Sequence, residues 1–136
     1  MTQPDVAMRG WSIVGDTSNS RFFQVRSGLL CAVPRDGSLD DFETATENRE
    51  FQESYFRRIG SPGAIIVLMD GFTSQDHAAR TVYLGYDDRL LRGVALVASS
   101  LLGRAIASFS IGLRQSKLPI KSFATLELAL AWAEKV

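Results

Sequence analysis

Two uninterrupted apolar runs mark the chain: Ala64-Ile65-Ile66-Val67-Leu68-Met69 and Val94-Ala95-Leu96-Val97-Ala98. Short runs rich in β-branched residues suit strands buried on both faces, as in a parallel sheet covered by helices. Elsewhere the apolar period lengthens to that of a helix. Phe42, Ala45, Gln52, Phe56 and Ile59 trace a stripe through a long segment that Ser38 is expected to cap. Asp40, Asp41 and Glu43 fall in its first turn, where the helix dipole favours negative charge, and Gly60-Ser61-Pro62-Gly63 stops it. Phe51 and Tyr55 lie off the stripe, so this helix is expected either to bend or to present two apolar faces. The pattern predicts further helices from Ser74 to about Leu84, from Ser99 or Ser100 to about Leu113, and from Thr125 through Trp132.

The N-terminal part reads differently. Residues 1–10 show no sustained periodicity and are expected to be a tail. Trp11 to Val14 is short enough for a strand or a tethered extension. Phe22–Val25 and Leu29–Val33 flank Arg26-Ser27-Gly28, which predicts a β-hairpin. With a short strand at 118–123, the chain alternates strands with helices, which is the signature of βαβ crossovers. The expected fold is α/β: an N-terminal β-hairpin followed by βαβαβα, in one domain over residues 11–136. Its sheet should be open and mostly parallel, with four to five strands, helices on both faces, and 64–69 beside 92–98.

Composition narrows the function classes. Fifteen Lys and Arg balance fifteen Asp and Glu in 136 residues, so the basic excess of a nucleic-acid binder is missing. No apolar run reaches the roughly 18 residues of a membrane span. A single cysteine, Cys31, forms no internal disulfide, and a cytoplasmic protein is expected. The charge is nevertheless segregated. Residues 36–53 carry Asp36, Asp40, Asp41, Glu43, Glu47, Glu50 and Glu53 against Arg49 alone, whereas 89–126 carry six bases and no acid.

Reactive side chains do not converge. His77, the one histidine, follows Ser74 and Asp76 at a predicted helix start, and neighbours on one turn do not make a catalytic triad. Nothing pairs Cys31 with His77 at metal-ligand spacing, and neither glycine-rich phosphate loop occurs. Asp40-Asp41 and Asp87-Asp88 are expected to be solvated acid pairs. Ser99 and Ser100 end a strand and open a helix, where a capping role outweighs anion binding. No catalytic residue, cofactor or metal is therefore assigned. That helix is apolar nearly all round. Ala105, Ile106 and Phe109 should face the sheet, leaving Leu102 and Leu113 on a second face.

Several pieces together resemble the SpoIIAA-like proteins, relatives of the STAS and CRAL-TRIO domains. They are Asp40-Asp41-Phe42-Glu43-Thr44, the strand Ile65 to Asp70, Ala78-Ala79-Arg80, Leu91 to Val97, and Ile120 to Phe123 followed by Ala129 to Trp132. The family closes with a strand, a Phe and a helix finishing in Ala-x-x-Trp-Leu; here Ala133 follows the tryptophan. The resemblance implies a small α/β sandwich without an enzymatic signature. In STAS-type regulators a phosphorylatable serine stands at a strand-to-helix junction. Asp70-Gly71-Phe72-Thr73-Ser74 occupies that place here, making Ser74 the positional candidate. The combined expectation is a binding domain that forms a homodimer or meets a protein partner through Leu102, Leu113, Phe51 and Tyr55. The alternative is a carrier of a lipid or other apolar ligand lined by the same residues.

Overall fold

The computed structural model describes residues 9–112 and 118–136, the side chains of 108–112 excepted. Its strands are β1 (Ser12–Asp16), β2 (Ser20–Arg26), β3 (Leu29–Pro34), β4 (Ser38–Asp40), β5 (Gly63–Leu68), β6 (Phe72–Gln75), β7 (Leu91–Val97) and β8 (Ile120–Phe123). The helices are α1 (Phe42–Ile59), α2 (His77–Leu84), α3 (Leu101–Gly112) and α4 (Leu126–Ala133). The main sheet has six strands in the order β1-β2-β3-β5-β7-β8, and β4 with β6 forms a separate two-stranded sheet. The α/β class stands, while the expected four to five strands become six plus two.

The two apolar runs form the centre of the sheet. β5 pairs in parallel with β3 through Leu30 and Ile65, and with β7 through Ile65 and Val94. The hairpin pairs β2 with β3 antiparallel, and β1 adds an antiparallel strand outside it. Because side chains alternate along a strand, the sheet feeds two cores. Phe23, Cys31, Ile66, Leu68 and Val97 meet Leu126, Ala129 and Ala133 of α4 on one face. Leu30, Ile65, Val94 and Leu96 meet Tyr55 and Phe56 of α1 and Ile106 and Ala107 of α3 on the other. Arg9, read from the sequence as part of the tail, pairs with Glu127 at 2.5 Å and lies over the Trp11 ring.

Three local expectations are corrected. Ser38 does not cap α1: Ser38–Asp40 is a strand, and the cap is Asp41, whose side chain accepts the Thr44 N–H in a reciprocal capping box. The helix expected from Ser74 begins at His77 behind an Asp76 cap, because Phe72–Gln75 pairs with β4. In α3, Ala105 faces solvent, and the buried line runs through Gly103, Ile106 and Ala107. Phe109 and Leu113 fall outside the described side chains. Trp132 is half-buried, packed 5.6 Å from the Phe123 ring and against Gly93.

Candidate functional site

The Asp40 carboxyl is the centre of a buried polar network and is only 2% exposed although it stands in an acidic stretch. The β1–β2 turn, the start of α1, β6 and α2 bring four donors to it. Gln75 donates at 2.9 Å, Thr44 at 2.7 Å, Tyr83 at 3.3 Å and Asn19 at 3.4 Å. Behind them Asn48 donates to Asn19 at 2.9 Å and to Tyr83 at 3.1 Å, and accepts from Thr17 at 2.5 Å. The network thus ties the β1–β2 turn, β4, α1, β6 and α2 together. Burial pushes the Asp40 carboxyl above its usual range against the pull of its four neutral donors. The Tyr83 phenol is also raised, chiefly by burial and then by the charge of Asp40. A buried acid without a cation costs less when protonated, so Asp40 and its shell hold position rather than present a reactive group. The acid pair Asp40-Asp41 is therefore not the solvated pair that the sequence implied.

Beside this network a cavity of about 60 Å³ separates the sheet from α1 and α2. Phe22, Val67, Met69 and Leu96 give it an apolar floor, while Gln52, Gln75 and Tyr86 stand on its polar side. The gap exists because α2 packs chiefly on α1 rather than on the strands.

A second acid is satisfied in a different way. Asp70, at the end of β5, accepts from the backbone N–H groups of Ser99 and Ser100, both at 3.0 Å, and from their hydroxyls at 2.6 and 2.7 Å. Partial burial pulls this carboxyl upward, but the four hydrogen bonds outweigh it and hold it below the usual range. Ser100 also accepts the Gly103 N–H at 2.9 Å, the geometry of an N-cap. The anion position at the start of α3 is thus taken by the chain's own carboxylate.

The remaining sequence candidates are scattered. Tyr55 is 3% exposed; its hydroxyl donates to Gln24 and accepts the Gly28 N–H at 3.2 Å. Phe51 stacks on Phe22 at a centroid distance of 4.5 Å. Tyr55 therefore belongs to the interior rather than to an exposed interaction face, and Phe51 is half-buried, because α1 turns its off-stripe aromatics onto the hairpin. Leu102 is exposed as expected and Leu113 lies outside the described residues. Ser74 is exposed on β6, and His77 is exposed in the first turn of α2. Cys31 is fully buried, and burial raises its thiol to about 12. Among the described residues no group of three His, Cys, Asp or Glu could hold a metal ion, and no helix is long and apolar enough to cross a membrane. The Asp40 shell was missed because its members lie far apart in sequence, and a lone Gln or Asn carries no spacing signal.

Comparison with curated proteins and with solved structures returns no match. A family model described as a domain of unknown function, DUF7793, matches residues 23–136, from the second half of β2 through α4. The buried residues of both cores fall inside that match, with β1 and the first half of β2 outside it, and the chain belongs to the DUF7793 family.

Proposed function

We propose that this domain is a non-enzymatic binding module of SpoIIAA-like type that associates through the outer face of α3, with a second copy of itself as the partner. The observation that carries this reading is the exposure of Leu101 (81%) and Leu102 (50%) at the start of that helix. Ala105 extends the same surface, and Arg104 is the charged residue among them. Contiguous apolar surface in water is the usual mark of an interaction site. The separation of acids in 36–53 from bases in 89–126 adds complementary fields that orient two copies.

The test is sedimentation velocity at tens of micromolar. The wild-type chain should sediment as a dimer, and Leu101→Glu with Leu102→Glu as a monomer with an unchanged circular dichroism spectrum. A monomeric wild type, or a double variant that still dimerises, would remove α3 from the interface. The lipid-carrier reading gains no support from the cavity, because 60 Å³ encloses no acyl chain. A phosphorylation switch at Ser74 has in its favour the exposure of that residue at the strand-to-helix junction.

A further inference from the structure

Arg104 stands one turn after Leu101 on the exposed side of α3 and forms no ion pair among the described residues. No acid occurs from residue 89 to residue 126, and Asp70, bonded at the start of α3, is engaged by Ser99 and Ser100. Two α3 helices packed face to face would bring surfaces of one sign together, which opposes association. We infer that α3 of one copy docks on α1 of the other, between Phe42 and Glu50, and that two such contacts close the dimer about a two-fold axis. The inference rests on the association through α3 proposed above and names the surface that receives it.

The receiving surface pairs apolar side chains with acid. Phe42, Thr46 and Glu50 recur every four residues and form one ridge of α1, with Phe42 58% exposed at its head. An open groove of about 650 Å³ is lined by this ridge and by Val82 of α2. The cations of the groove have a partner within it. Arg49 and Arg57 both meet Glu53, at 3.3 and 3.8 Å, and Arg49 also donates to the Val82 carbonyl at 3.2 Å. Glu50 is exposed and makes no hydrogen bond or ion pair among the described residues. Glu50 on α1 and Arg104 on α3 are thus opposite charges without an internal partner, each on a ridge with exposed apolar side chains. Phe42 and Glu50 stand about 12 Å apart along the helix, a span that a leucine and an arginine one turn apart cover with extended side chains.

The placement of the two helices decides how the assembly closes. Tyr55 and Phe56 of α1 share one core with Ile106 and Ala107 of α3, so both helices lie on the same face of the six-stranded sheet. A two-fold axis can exchange both contacts reciprocally between such faces, and association stops at a dimer. Helices on opposite faces would instead pass the contact from copy to copy.

Sedimentation velocity of the whole chain tests this with two charge reversals at exposed positions, Glu50→Arg and Arg104→Glu. Each variant alone should associate more weakly than the wild type by about tenfold or more, the scale of a close charge pair lost at each contact. Mixed in equal amounts, the two variants should regain the dimer, because each then meets the opposite charge at both contacts. Should a reversal unfold the chain, Phe42→Ser replaces it and should likewise weaken association. Glu50→Arg or Phe42→Ser dimerising like the wild type, while Leu101→Glu with Leu102→Glu is monomeric, would overturn this inference and leave α3 as the interface. Folded reversal variants that stay monomeric on mixing would overturn it equally. A monomeric wild type would remove both readings.

Discussion

Asp40 and Gln75 stand opposite one another where β4 pairs with β6, and the Gln75 amide donates to the Asp40 carboxylate at 2.9 Å. Backbone register and side-chain bond therefore fix the same two strands. Since burial raises the Asp40 carboxyl in the fold, the folded chain holds that proton more tightly than the unfolded chain. The stability this contributes is fully present below the unfolded value of about 3.9 and is lost as pH rises through the raised folded value. Asp40→Asn removes the titration while keeping an acceptor for Thr44 and Tyr83. Urea unfolding should show the wild type losing ground to the variant between pH 4 and pH 7. A difference that stays constant with pH would show that Asp40 titrates alike in both states.

Asp70 carries the opposite sign. Its carboxyl is held low, so its contribution is present above about pH 3.9 and is lost as pH falls through the folded value. Asp70→Ala should cost about 1–2 kcal/mol at neutral pH, the scale of a lost helix cap, with the penalty shrinking in acid.

Gly103 sits tightly against that cap. A methyl group there would collide with Asp70 Oδ1 and stand 2.9 Å from Ser100 Oγ. Alanine normally stabilises a helix interior by about 1 kcal/mol over glycine. Gly103→Ala should instead lower the melting temperature, and should do so less in the Asp70→Ala background. Equal effects in the two backgrounds would mean that Asp70 does not set the crowding.

Trp132 covers Gly93 on β7 and meets Phe123 on β8. Being half-buried, it should matter less than a sealed aromatic, for which deletion costs about 3–5 kcal/mol. Trp132→Ala is expected to cost about 2–3 kcal/mol in urea unfolding, and a loss under about 1 kcal/mol would make α4 peripheral.

Cys31 offers a chemical check on the core. Burial lifts its thiol to about 12, and the thiolate is the reactive form. A thiol reagent at pH 8 should leave the native chain unlabelled over hours and label it at once in denaturant. Rapid native labelling would show that the sheet opens around β3.

The parts of this fold legible in the sequence are those whose burial is repeated along one segment. β5 and β7 announce themselves because every position is apolar, and the hairpin because Arg26-Ser27-Gly28 breaks two β-prone runs. β4 and β6 were hidden because Ser38–Asp40 and Phe72–Gln75 are short and largely polar, and their pairing depends on partners some 35 residues apart. The same polarity misplaced the start of α1, where Ser38 before acids reads as a cap while Asp41 and Thr44 form the actual box. The exposed leucine at 102 was readable from helical angle, but which face of α3 met the sheet was not. Gly103 and Ala107 are too small to weigh in an apolar count, yet they allow the close approach that sets the helix's rotation.

One whole side of the central sheet is sealed late in synthesis. Phe23, Cys31, Ile66 and Leu68 are made early, but their cover comes from Leu126, Ala129 and Ala133 of an eight-residue helix more than 50 residues further on. At a ribosomal rate of roughly 5–20 residues per second, that surface stays open for several seconds after β5 has emerged. Until α4 arrives, the nascent chain presents a flat apolar sheet face to the cell.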